Sequence, residues 1–213
     1  MNKLLMFDLD GTLIDSRGGI ANAVNATRKH YGFPPLPLEE VVSYVGNGAK
    51  KLMERASKDF DVPVSLEELH QTMLKFYTAD PVAETFLYPG VAETMDELFQ
   101  ANWTLTVVSN KSQSISKKIL DQLGISCYIS DIIGDGSSFP LKPAPDALLH
   151  LMEKYDAARE NCWFIGDNYT DLEAAANAGI KSIFCEFGFG SKGNAASTAD
   201  ITAFTALTTL LMS

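Results

Sequence analysis

The chain has 213 residues, 46% of them apolar, with a mean hydropathy near zero; that is enough for one domain with a sizeable core, or one domain carrying a smaller insertion. The formal net charge of −10 argues against a nucleic-acid-binding face, so a phosphate site in this chain has to draw on local cations. No stretch approaches the roughly 20 continuous apolar residues of a membrane span.

In chain order, KLLMF predicts a first strand. GGIANAVNATRKHYG and PLEEVVSYVGNGAKKLMERASKDF read as wholly or mostly helical, and SLEELHQTMLKFYTAD as an amphipathic helix with Ser65 as its N-cap. After a break at Pro81 come the helix PGVAETMDELFQAN, the strand WTLTVVSN, the helix QSISKKILDQLG closed by Gly124, and the strand YISDIIG. The helix APDALLHLMEKY, the strand CWFIGD, the helix DLEAAANAG closed by Gly179, and the strand KSIFCEF complete the series. The opening MNKLLMFDLD meets acid too early for a signal-peptide core. Cys127, Cys162 and Cys185 lack CxxC spacing, which argues against a disulfide scaffold or a zinc site and makes the cytoplasm the expected compartment.

Strands alternating with helices predict an α/β protein with a doubly wound, mainly parallel sheet covered on both faces. Residues 16–80 break that rhythm with helices alone, so they are expected to form an all-helical insertion, with 1–15 and 81–213 building the sheet domain. Ligands of such sheets bind beyond the carboxyl ends of the strands. Those ends carry Asp8–Asp10, Ser109–Asn110, Gly134–Asp135 and Gly166–Asp167, which predicts that the acids form one site.

Asp8 and Asp10 stand two apart, so on an extended chain they point the same way and repel unless a group lies between them. Phosphoryl transfer uses such a pair. One carboxylate attacks phosphorus, while the other protonates the leaving alkoxide and later activates water. A divalent cation has to bridge carboxylate and phosphate, and hard oxygen ligands suit Mg²⁺. Gly11 allows close backbone approach, and Thr12 offers a hydroxyl to Asp10 and the phosphoryl group. Ser109 and Asn110 supply a hydroxyl and an amide for phosphoryl oxygens. Lys142 sits between residues of LKPAP, where a solvated surface lysine is the alternative. Asp167 and Asp171 are four apart, on one face of a helical turn, although Asp171 could equally serve only the positive end of a helix.

Taken in order, DLDGT, VVSN, LKPAP and GDNYTD resemble the four motifs of the haloacid dehalogenase superfamily, spread over the chain outside the insertion. The resemblance implies a Rossmann-like core with an inserted all-helical cap domain, and a phosphatase with Asp8 as nucleophile and Asp10 as general acid and base. It further implies that Ser109 binds the phosphoryl group, that Lys142 steadies the nucleophile and the transferring charge, and that Asp8, the main-chain carbonyl of Asp10 and Asp167 hold Mg²⁺ with Asp171 behind them. An acid at Asp10 argues for phosphoryl chemistry over carbon–halogen cleavage. FDLDGTLIDS, YVGNGAKKLMERA, TFLYPGVAETM and VVSNKSQSISKKILDQLGI look like the phosphoglycolate phosphatase group, which implies 2-phosphoglycolate as substrate. Pyrophosphate, sugar phosphates, nucleotides, mutase-like phosphotransfer and a non-catalytic binding relative stay open as alternatives.

The segment VGNGAKK, with Gly46, Asn47, Gly48 and Lys50, offers N–H groups and lysines to a substrate carboxylate, or merely shapes a turn between helices. Lys50, Lys51 and Arg55 also read as part of a solvated face. GFGSKG formally matches GxGxxG but lacks a following βαβ unit, so it is expected to be a glycine loop bordering the site. His30, His70 and His150 lack metal-ligand spacing and are expected on surfaces or in packing. The expected partner is a small phosphorylated metabolite, with no nucleic acid or membrane, for a monomer or homodimer.

Overall fold

Four consecutive residues of the first strand, Leu4 to Phe7, are fully buried, as expected of a strand covered on both faces. The computed structural model describes residues 2–212; Met1 and Ser213, the outermost positions of the expected sheet domain, lie outside them. β1 (Lys3–Phe7) is followed by a two-residue strand, β2 (Ile14–Asp15), and by four helices: α1 (Arg17–His30), α2 (Leu38–Ser43), α3 (Ala49–Ala56) and α4 (Leu66–Ala79). The chain returns through β3 (Phe86–Leu87), which pairs antiparallel with β2, Ile14 opposite Leu87 and Asp15 opposite Phe86. It continues through α5 (Val91–Gln100), β4 (Trp103–Ser112), α6 (Gln113–Gln122), β5 (Ile129–Asp135), α7 (Asp146–Lys154), β6 (Cys162–Gly166), α8 (Tyr169–Ala178), β7 (Lys181–Cys185), β8 (Ala199–Ile201) and α9 (Ala206–Met212).

Six strands form one parallel sheet in the order β5-β4-β1-β6-β7-β8. Side chains alternate across it. Leu5, Phe7, Leu105, Val107 and Ile165 join one apolar cluster, which also takes in residues of α1, α5, α6 and α9. Leu4, Met6, Val108 and Phe164 join the other, with Leu148 and Leu151 of α7 and Ala174, Ala175 and Ala178 of α8. Truncating one of these side chains, as in Leu5→Ala, is expected to cost about 2–5 kcal/mol.

The structure adds to the sequence reading in three places. The β2–β3 ribbon, β8 and α9 are additional elements. The mostly helical segment from Pro37 to Phe60 forms α2 and α3, joined by a turn at Tyr44–Gly48, the turn between helices that its glycines allowed, where Gly46 and Gly48 adopt φ of 120° and 85°. Those left-handed values are easy for glycine and costly for other residues. Among the described residues no helix is long and apolar enough to cross a membrane.

Candidate active site

Because β1 lies between β4 and β6, its carboxyl end opens into the crevice where the strand order reverses. The Asp8 N–H donates to the Ile165 carbonyl of β6 at 2.9 Å, which fixes Asp8 over that crevice. The chain then turns: the Leu9 carbonyl accepts from the N–H groups of Thr12, Leu13 and Ile14, and Gly11 takes a φ of 85°. The two aspartates therefore diverge, and each meets its own lysine. Asp8 Oδ1 lies 2.8 Å from Lys142 Nζ. Lys111 Nζ donates to both oxygens of Asp10 at 2.9 and 3.0 Å, and the Ser16 hydroxyl donates to Asp10 Oδ1 at 2.5 Å.

Lys142 is buried and shared, lying 2.8 Å from Asp171 Oδ1 as well as from Asp8. Burial works against its ammonium, and the Asp171 and Asp8 carboxylates outweigh that, so its pKa stands above the usual lysine value. Asp171 has a second task. Its Oδ2 accepts the Asn168 N–H at 2.9 Å while the Asn168 side chain caps the first turn of α8, so helix cap and ion pair are one residue.

Asp167, just past β6, accepts the Gly190 N–H at 2.6 Å. Backbone packs so closely around its carboxylate that a Cβ at Gly11 or Gly188 would overlap it. Asp8, Asp167 and Asp171 each present an oxygen within 4.8 Å of the others. Burial, and after it the Asp171 and Asp8 charges, push Asp167 well above the usual carboxylate range. Burial likewise raises Asp171, with Lys142 opposing it. Three buried carboxylates facing one ammonium leave negative charge uncompensated, and an all-oxygen donor set of this kind fits a divalent cation.

A cavity of about 70 Å³ opens beside these groups. The sheet side contributes Asp8, Asp10, Ser109, Asn110, Lys111, Asp167 and Asn168. The helical side contributes Ile20, Val42, Val45, Leu52, Met73, Leu74 and Tyr77, along with Gly46 and Gly48 of the α2–α3 turn.

Most of the residues singled out in the sequence meet here, and several take other roles. Asp8, Asp10, Ser109, Asp167 and the lysine–acid link of Lys142 converge as expected. Asn110 does not offer its amide to a ligand: its Nδ2 donates to the Gly46 and Lys142 carbonyls at 2.9 and 3.0 Å, and its Oδ1 accepts the Lys142 N–H at 2.8 Å. It braces the Lys142 backbone against the α2–α3 turn. Thr12 is fully buried, lies outside the cavity lining, and leaves the support of Asp10 to Ser16 and Lys111. The Asp10 carboxylate stands outside the acid cluster, so only its main-chain carbonyl is left for the metal role implied by the resemblance.

On the helical side, Asn47 turns away to Tyr169 and Arg55, and Lys50 pairs in solvent with Glu67 at 2.8 Å, because both side chains point off the turn whose glycines face the cavity. Asp135 ends the edge strand β5 and is not part of the lining. The glycine loop does border the site, through Phe189 and Gly190.

Lys111, Ser16 and Tyr77 were not anticipated. A signal for Lys111 was present, since strand alternation puts residues 109 and 111 of VVSNK on one face. Tyr77 follows only the amphipathic pattern of α4 and carries no such signal.

The family described as Haloacid dehalogenase-like hydrolase matches residues 5–185. A phosphoglycolate phosphatase of Vibrio parahaemolyticus is 39% identical over 194 residues, covering 88% of this chain and 85% of that protein. One of Aquifex aeolicus is 36% identical over 187 residues, covering 88% and 86%. Among solved structures, a predicted phosphoglycolate phosphatase from Haemophilus somnus superimposes with a TM-score of 0.90 at 26% identity, covering 98% of this chain and 97% of that one. The match across the sheet and its strand ends, with relatives above 30% identity over most of their length, means that this chain belongs to the haloacid dehalogenase-like hydrolases.

Proposed function

We propose that the protein is a Mg²⁺-dependent phosphatase that hydrolyses a small phosphate monoester through an aspartyl-phosphate on Asp8. The observation that carries this reading is the Asp8 carboxylate, fixed at the sheet crevice, held by Lys142 and facing Asp167 and Asp171 across less than 4.8 Å. Asp8, Asp167 and the Asp10 carbonyl would hold the Mg²⁺, with Asp171 behind them. The ion would supply charge neutralisation between the carboxylates and a phosphate dianion.

The chain's own groups account for the remaining chemistry. Ser109, buried at the end of β4 and lining the cavity, hydrogen-bonds a phosphoryl oxygen. An Asp8 oxygen forms a bond to phosphorus as the ester O–P bond breaks, and a carboxyl proton from Asp10 goes to the leaving alkoxide. The resulting Asp10 carboxylate then takes a proton from the water that hydrolyses the acyl phosphate, which returns both acids to their starting states. Lys142 keeps Asp8 oriented and offsets the charge that builds up on transfer. The helices between residues 16 and 80 act as a cap over this site, a role supported by their share of the cavity wall.

The substrate we infer is 2-phosphoglycolate, because the relatives at 36–39% identity over most of their length carry that activity in their names. The test is hydrolysis of a panel of phosphate monoesters with and without Mg²⁺, alongside trapping with beryllium fluoride. Wild type should turn over only with the cation and bind the fluoride at Asp8, and Asp8→Asn should do neither. An active Asp8→Asn enzyme rejects the covalent route.

A further inference from the structure

The mechanism above leaves two cavity groups without a task. Lys111 Nζ is held by Asp10, with its side chain only 8% exposed, and lies 4.4 Å from the centroid of the Tyr77 ring. Tyr77 comes from α4, is 3% exposed and lines the same cavity; its hydroxyl makes no close hydrogen bond, and its polar neighbours are the Lys111 ammonium and the Thr85 hydroxyl. Buried hydroxyls are normally satisfied, and no close acceptor holds this one, so its proton is available to an acceptor that enters the cavity. The other cations near the helical wall are committed elsewhere. Lys50 and Lys51 pair with Glu67 and Glu54 in solvent, and Arg55 donates to the Tyr44 carbonyl and to Asn47. Among the described residues that line the cavity, Lys111 is the one cation.

We propose that Lys111 and Tyr77 form the seat for a carboxylate carried by the leaving alcohol, and that this carboxylate displaces Asp10 from Lys111. The inference rests on the phosphatase reading above. The reach is right, because in a phosphorylated α-hydroxy acid the carboxyl carbon is two bonds from the ester oxygen served by Asp10. A seat that begins at the ammonium now bound to Asp10 is therefore next to that oxygen. The substrate carboxylate takes the charge-assisted bond from Lys111 and the bond from the Tyr77 hydroxyl, and the displaced Asp10, with a proton drawn from solvent, is free to give that proton to the leaving oxygen. An ester without this anion leaves Asp10 tied to Lys111 and Ser16. Selectivity then comes from release of the acid rather than from cations on the helices.

The experiment compares kcat/KM for 2-phosphoglycolate and for ethyl phosphate, which lacks only the carboxylate, in wild type, Lys111→Met and Tyr77→Phe, with p-nitrophenyl phosphate as a common reference. Wild type should favour 2-phosphoglycolate by about tenfold or more, the size expected of one satisfied charged contact. Lys111→Met should bring the ratio to within about threefold of one, by slowing the glycolate ester and speeding ethyl phosphate. Tyr77→Phe keeps the ring and removes one hydroxyl that makes no close hydrogen bond, so it should fold normally and lower the ratio by about threefold or more. A wild-type ratio near one, or variants that lower both esters by the same factor, overturns the seat while turnover of p-nitrophenyl phosphate upholds the phosphatase. Absence of p-nitrophenyl phosphate turnover by wild type with Mg²⁺ overturns both.

Discussion

The two walls of the cavity are built from different chemistry. The sheet wall brings carboxylates, one lysine and a serine from strand ends far apart in the chain, with a second lysine, Lys142, buried behind Asp8. The helical wall is aliphatic apart from Tyr77 and two glycines of a turn. In the proposed mechanism the bond-breaking groups belong to the sheet and the shaping of the leaving group to the helices. The proposed carboxylate seat adds the recognition of charge to Lys111, a sheet residue that touches both Asp10 and Tyr77.

Substitutions on the two walls should separate accordingly. After the complete loss expected of Asp8→Asn, the largest effect on the sheet wall is expected at Asp167, where Asn removes a charge that the Gly190 N–H cannot replace. Activity at fixed Mg²⁺ should fall by more than about 100-fold with a matching loss of cation affinity, against about 10–100-fold for Asp171→Asn. Metal titrations followed by activity and by calorimetry check this, and the reverse order would exchange the two roles.

Asp10→Asn should be next. About 10²–10⁴-fold is expected on ethyl phosphate, with a smaller loss on p-nitrophenyl phosphate, whose leaving group needs little protonation. Equal losses on both esters would remove Asp10 from the proton pathway.

The smallest change is expected on the helical wall. Leu74→Ala, at a half-buried position of α4, should lower kcat/KM by less than about fivefold, in line with the loss of a few buried methyl groups. A loss rivalling that of Asp10→Asn would break the division between the walls.

The same division explains what could be read from the sequence. A strand end carries its function in a short local pattern. An apolar run followed by Asp8, VVSN followed by Lys111, and FIG followed by Asp167 are each visible within a few residues. Their convergence follows from one rule about parallel sheets. The helical wall offers no such pattern, because Leu52, Met73 and Tyr77 satisfy helical periodicity equally well as core or as cavity lining.

Asn110 shows the limit even within a motif, since only the fold reveals that the Gly46 and Lys142 backbones claim its amide. The two residues each of β2 and β3 are too few for any alternation to register.

The position of β1 has a consequence for how the chain folds. Its neighbours are β4, with Lys3 opposite Trp103, and β6, with Leu4 opposite Cys162, so the centre of the sheet is assembled from segments far apart in sequence. Neither pairing can be reached by a hairpin, and each closes a long loop before its hydrogen bonds form. The helices α1 to α4 lie inside the first of those loops and pack on one another, so their contacts close shorter loops than the β1–β4 pairing does. Asp8 at the end of β1 faces Asp167 beyond β6 only after the β1–β6 pairing is made, and Ser109 and Lys111 join them only after the β1–β4 pairing, so catalytic competence is expected to be among the last properties this chain gains as it folds.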